Sequence, residues 1–512
     1  MNSRFCFAAA AIPLMLAAVS CSPAPPAPPA TPNSTTGNVL APKPTPTSID
    51  RETWDIYTIG GARAGYGRTS IKHTRRSQRE IIRIEGLNHL AVKRFGDESV
   101  QEIRFVSEET PDGELIEFTS EIRAGPTPVH TTGRVAGERL DMETTFDGKR
   151  SSSSIPWRSG YGGFYATELS LVNRPMTPGE RRTVEALAIA FYQVATVEMI
   201  ALNYEPVELL TGTHSLLKID TTTTFLDGTI IEGTIWADRT GETLKTRTEL
   251  MNMETWRVPK AVALEETEAV EVDMGVVKLD APLEGPHEAK RIRYRVRLDG
   301  GDPMAAFVPG PTQRIESIDP NTARITVYAI RPGQQNGNRR AADDFPTDAD
   351  RQPNNFIQSD DPLIVAEARK AAGQETDPWK IAVALEQYVQ REVTEKDFTQ
   401  AFATASDVAK SRQGDCSEHA FFLAALARAR DIPARVAFGL VYMPQMQAFG
   451  YHAWTELFID GRWIPLDATL GKGGIGAGHL KLGHSNLKGA SAFSSFLPVV
   501  QVLGRLKIDV LD

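Results

Sequence analysis

From residue 51 to about residue 275 the chain repeats one unit: a run rich in β-branched residues, then a turn signal. EIIRIEGL (80–87), ELIEFTSEI (114–122) and GTIIEGTIWA (228–237) are such runs. Asp112-Gly113, Asp147-Gly148, Asp227-Gly228 and Thr240-Gly241 punctuate them. Short β-rich runs separated by tight turns pair with their neighbours in sequence. The expected result is an antiparallel meander, either one large curved sheet or a sandwich. YGGFYATELSLV (161–172) reads as a short helix against it. The apolar stretch from Val184 to Leu202 reads as strands because of its Val, Ile and Phe and its neighbours.

Residues 286–330 continue the strand pattern with AKRIRYRVRL and ARITVYAI. A polar stretch rich in Gly, Pro and Asn follows, to residue 361. Loops of that length are usually lids, linkers or disordered. The period changes at Pro362. DPLIVAEARKAAG and DPWKIAVALEQYVQREV have helical spacing, and Asp377-Pro378 is a helix start with an N-cap and a proline at the first position. SDVAKSR reads as a further short helix. The fold class is therefore α+β, with a β-rich region (51–285), a β-rich connecting segment (286–361) and a mixed C-terminal region (362–512).

The first 21 residues, MNSRFCFAAAAIPLMLAAVSC, carry one positive charge, an apolar run and a small residue before Cys21. That is a secretory signal over residues 1–20, too short and wrongly flanked for a spanning helix. Its end resembles a bacterial lipoprotein signal, which implies lipidation of Cys21 and a membrane anchor in the cell envelope. The Pro-, Ala- and Thr-rich segment up to residue 50 is a tether; it cannot build a core and could reach roughly 80 Å at about 3.1 Å per residue. Asn33-Ser34-Thr35 fits a glycosylation acceptor but reads as tether chemistry. No later run is long enough for a transmembrane helix. The net charge of −9, with only short basic pairs such as Arg75-Arg76 and Arg339-Arg340, argues against a nucleic-acid partner.

With Cys6 in the signal and Cys21 lipidated, Cys416 is the one thiol left, in a compartment where disulfides are permitted. It lies in QGDCSEHAFFLAALARARDIPARV, where Gly414-Asp415 precedes a breaker-free helical run. A thiol at a helix N-terminus has its thiolate favoured by the unpaired N–H groups and the dipole. A base is available in GYHAWTELFIDGRWIPLDATLG. His452–Ile459 reads as a strand, Asp460-Gly461 as a turn and Arg462–Leu466 as the return strand. Asp467, at the end of that strand, can reach the imidazole of His452. Nucleophile, base and orienting acid are then all present.

These residues resemble the transglutaminase-like superfamily, over about residues 362–480. The resemblance implies a papain-like fold in which the cysteine opens a helix packed on an antiparallel sheet. It matches Cys416, His452 and Asp467 to nucleophile, base and orienter. It implies attack on an amide carbonyl and a thioester intermediate, with a protein or peptide substrate and no cofactor. No calcium-binding signature accompanies it. Hydrolysis is slightly favoured over transfer to an amine. The alternative is a binding or structural envelope lipoprotein with a disused thiol fold.

Neighbouring features carry blander expectations. Trp454 reads as core beneath the site, His419 as supporting or surface, and Tyr451 as a cleft residue. GKGGIGAG (471–478) matches G-x-G-x-x-G, but no acidic residue lies between Asp467 and Asp509, so it reads as a flexible loop rather than a nucleotide site. His479 and His484 have no acid or thiol companion in sequence, which argues against zinc.

Overall fold

The computed structural model describes residues 50–511 apart from 77, 95–96, 126, 190, 227, 249–251, 272–275, 332–343, 396–402 and 490–495. The expected signal (1–20), Cys21, the tether up to residue 49, part of the polar stretch and Asp227 lie outside the described residues. No helix among the described residues is long and apolar enough to cross a membrane.

The β-rich region is a single sheet of fifteen strands, not a sandwich. Eight strands, from Arg51–Ile59 to Lys149–Pro156, meander outward. Six more, from Arg181–Ala188 to Met253–Val258, meander back, and the last pairs with the first, placing Trp54 opposite Val258. A two-residue strand, Val270–Glu271, adds a short parallel pairing. Alternation decides what faces inward: in Arg139–Phe146, Leu140, Met142, Thr144 and Phe146 are buried and the residues between them are exposed or half-buried. The turn Asp147-Gly148 has φ of 46° and 72°, the positive values a tight hairpin turn needs. The sheet curls until its two halves touch: Phe118 and Tyr192 stack at 5.7 Å, and Ser120 and Tyr192 hydroxyls meet at 2.7 Å. The expected helix forms at Ala166–Asn173.

The strands Arg291–Leu298, Gln313–Asp319 and Thr322–Tyr328 form a second sheet, and Leu506–Val510 returns from the C-terminus to complete it. Tyr294 donates its hydroxyl to the Ala477 carbonyl at 2.8 Å, joining this sheet to the C-terminal region.

Among the described residues that region has five helices, a short one at Leu497–Val502 and four that precede it, α1 (Pro362–Ala372), α2 (Pro378–Glu392), α3 (Ala405–Ser411) and α4 (Cys416–Arg428). The four labelled helices pack with strands β1 (Ala434–Met443), β2 (Ala448–Ile459), β3 (Arg462–Leu466) and β4 (His479–Ser485). In the sheet β2 lies between β1 and β3, and β4 lies on the far side of β1. Val277–Lys278 adds a short strand to β2. Asp377 caps α2 as expected, accepting the N–H groups of Trp379 and Lys380 at 2.9 and 3.1 Å. The β2–β3 hairpin turns at Asp460 and Gly461, with φ of 52° and 76°. Every residue of α4 is buried, and so is every residue of β1. Phe421, Phe422, Leu423 and Leu426 on α4 each contribute about 1.5–3 kcal/mol of apolar burial.

Candidate active site

Three residues build the start of α4. Gly414 has φ of 149°, and a Cβ there would lie 2.3 Å from Cβ of Glu418, so a side chain is excluded. Asp415 accepts the N–H of Ser417 at 2.8 Å, while Glu418 accepts the N–H of Asp415 at 2.9 Å. This reciprocal cap is worth about 1 kcal/mol or more and fixes where the helix begins. Cys416 is then the first helical residue, fully buried, where the helix dipole favours a thiolate.

The alignment of α4 on β2 follows from two contacts. Near its end, Arg428 donates to the Ala434 carbonyl, and Ala434 pairs with Leu457. Nearer its start, the Thr455 hydroxyl donates to the Ala420 carbonyl at 2.9 Å. Helix and strand thus run the same way. Cys416 opens this helix one turn before Ala420.

The hairpin register pairs Thr455 with Leu466, so Asp467 follows directly at the end of β3. His452 Nε2 lies 2.8 Å from Asp467 Oδ2. The other ring nitrogen of His452, Nδ1, is buried with no hydrogen-bond partner among the described residues. Asp467 accepts further bonds at Oδ1 from the Thr469 N–H (2.9 Å) and hydroxyl (2.6 Å). Burial opposes its ionisation, but the rings of His452 and His479 outweigh burial and hold the carboxyl well below the usual carboxylate range. An ionised carboxylate only accepts, so the His452 proton belongs on Nε2 and the lone pair on Nδ1.

Sequence reasoning missed two partners of Asp467. Glu386, on α2, accepts the Asp467 N–H at 2.9 Å and those of Gly473 and Gly474 at 2.6 and 3.3 Å. Burial pushes its carboxyl up to about 8 against the pull of those N–H groups. The signal was present: Glu386 stands among the buried Ala382, Leu385 and Val389 on the apolar face of α2. The second is His479 on β4, whose Nε2 lies 3.0 Å from the same Oδ2 of Asp467. It has the acid companion that its sequence neighbours lack. Burial takes its imidazole down to about 4, so the ring is neutral near pH 7.

Other expectations are corrected. The loop through Gly473 and Gly474 is tied down by Glu386 rather than left loose. His419 is not at the surface: it is buried, with Nδ1 2.6 Å from the Asp415 carbonyl. Tyr451 does not face the site; strand alternation turns it away from His452, and its hydroxyl donates to the Val502 carbonyl at 3.2 Å. Trp454 is buried on the same face as His452, with ring centroids 6.4 Å apart, as expected. Glu456, two residues on, binds Lys481 and Arg435 at 2.7 Å each.

His452, Asp467 and His479 offer three buried donor atoms within 4.8 Å of one another, a set that could hold a metal ion. The separations of 2.8 and 3.0 Å are those of hydrogen bonds, and two shared protons satisfy the carboxylate.

Residues 366–468 match the model of the transglutaminase-like superfamily. The C-terminal region is thus a transglutaminase-like domain. Among solved structures, a putative cysteine protease from Cytophaga hutchinsonii aligns at 18% identity and TM-score 0.28, over 43% of this chain and 86% of that one. A structure described as a TGase aligns at 17% identity and TM-score 0.18, over 31% of this chain and 43% of that one. A β-barrel-like protein of a domain of unknown function from Brucella abortus aligns at 11% identity and TM-score 0.30, over 41% and 96%. A comparison with curated proteins gives no match.

Proposed function

We propose that the chain is an extracytoplasmic acyl-transfer enzyme acting on amide bonds of a protein or peptide. The observation that carries this reading is the buried His452–Asp467 hydrogen bond, with an unpartnered Nδ1, on the strand that packs against the helix opened by Cys416.

In the proposed reaction His452 Nδ1 takes the proton of Cys416, and Sγ attacks the amide carbonyl carbon. The electron pair of the C=O bond moves to oxygen, where N–H groups at the start of α4 are suited to stabilise it. As that pair returns, the C–N bond breaks, and His452 gives its proton to the leaving nitrogen. Water or an amine then attacks the thioester, losing a proton to His452, and Sγ leaves. Asp467 holds the ring and stabilises its protonated form. Cys21 would anchor this domain to a membrane of the cell envelope through the proline-rich tether.

The test is release of ammonia or of new amino ends from an unfolded polypeptide, comparing wild type with Cys416→Ala. Release by wild type alone supports the reading; equal release by both variants removes it. One observation favours the alternative, a binding module: Cys416 has 0% exposure. A thiol that no small electrophile reaches in the folded protein would make that reading the better one.

A further inference from the structure

One oxygen of Asp467 serves two imidazoles, from β2 and from β4, at 2.8 and 3.0 Å. Both rings are 2% exposed or less. We propose that His479 is a positioning residue for the reaction: it donates Nε2–H to Asp467 and fixes that oxygen, so that His452 keeps its own Nε2–H toward Asp467 and its Nδ1 lone pair toward the thiol. This rests on the reading of Cys416, His452 and Asp467 given above.

The tautomers follow from the acceptor. Asp467 Oδ2 can only accept, so each neutral ring must place its single N–H on Nε2. That leaves Nδ1 of His479 as a buried lone pair, and among the described residues no donor meets it. A ring present only for packing would gain by losing both nitrogens, since an unpaired buried acceptor costs about 1–3 kcal/mol. The bond to Asp467 is the polar contact of this ring that offsets the cost. Aromatic rings pack beside it, Trp454 at 5.3 Å and His287 at 5.6 Å between centroids, both edge-on, and His452 at 6.1 Å.

The groups around the shared carboxylate come from every side. Thr469 binds the other oxygen, Glu386 on α2 takes the backbone N–H, and His287 lies behind His479. Thr469 and Glu386 hold Asp467 along its Oδ1 side and its backbone. Among the described residues only the two rings hold Oδ2, so without His479 that oxygen rests on the ring it is meant to orient.

The experiment measures iodoacetamide alkylation of Cys416 in the full chain against pH, read on the Cys416 peptide by mass. In His479→Phe, which fills the space without a donor, the thiolate midpoint is expected to move up toward the free-thiol value of about 8.5. Each unit of movement lowers the rate below the midpoint about tenfold. His479→Gln, which can still donate from Nε2, is expected to restore the wild-type profile. A folded His479→Phe with an unchanged profile overturns the proposal. Should that variant not fold, nitrogen NMR of the wild-type rings decides: a proton on Nε2 of His479 supports it, and one on Nδ1 overturns it. An ordinary thiol profile in wild type would instead remove the nucleophile–base pair, a separate failure.

Discussion

The β-rich sheet and the transglutaminase-like domain treat polar residues in opposite ways. On the sheet most charged side chains pair at the surface, as Arg83 does with Glu85 and Glu108 while 40% exposed, and Glu109 is a buried exception. In the C-terminal domain, Glu456, Lys481 and Arg435 pair with side chains 4% exposed or less. Asp467 and its two histidines are 2% exposed or less. Surface pairs need no partner to remain soluble and add little stability. Buried ones cost several kcal/mol of desolvation per ion, which the partners must offset. The first region uses charge to coat a sheet; the second encloses it, and enclosure is what makes a carboxylate able to fix an imidazole.

The contrast can be broken in graded ways. The largest effect is expected for Cys416→Ala, which removes the nucleophile and should lower activity by about 10⁴-fold or more with the fold retained, as steady-state rates and circular dichroism would show. Asp467→Asn keeps the shape but lets the side chain donate to His452, and should cost about 10³–10⁴-fold in kcat with little change in KM. Glu456→Gln leaves Lys481 and Arg435 with less countercharge and should destabilise by about 3–5 kcal/mol in denaturant titration. Arg83→Ala on the sheet should cost about 0.5 kcal/mol or less by the same titration. A comparable loss for the last two would end the distinction between the regions.

Acid sharpens it further. Burial holds the imidazole of His484 down to about 4, helped by Lys481 and Arg435, and burial likewise holds His479 to about 4. Between about 4 and 6.5 the unfolded rings bind protons that the folded rings refuse, so stability should fall as pH drops through that window. Glu456 acts lower: burial opposes its charge, but Lys481 and Arg435 prevail and bring it to about 2, so its contribution is lost as pH falls from 4.5 toward that value. Urea midpoints from pH 4 to 7 should slope less steeply in His484→Gln than in wild type.

Much of this was legible because it is local. Asp377-Pro378, Gly414-Asp415 and Asp460-Gly461 act within one turn of chain, and each does what its residues dictate. The strand content of residues 51–275 was equally readable, since alternation and turn chemistry are short-range. Whether those strands made one sheet or two was not, because the pairing of Trp54 with Val258 spans the whole region. His452 and Asp467 could be matched by counting back from one hairpin turn. Glu386, His479 and Lys481 meet their partners through tertiary packing, where sequence spacing carries no information. Glu386 alone left a trace, as a carboxylate on an apolar helix face.

The most direct test of the account is the alkylation rate of Cys416 against pH in wild type and His452→Ala. The account predicts a thiolate that persists well below pH 8.5 in wild type and is lost in the variant. A slow profile with an ordinary midpoint, the same in both proteins, would contradict it.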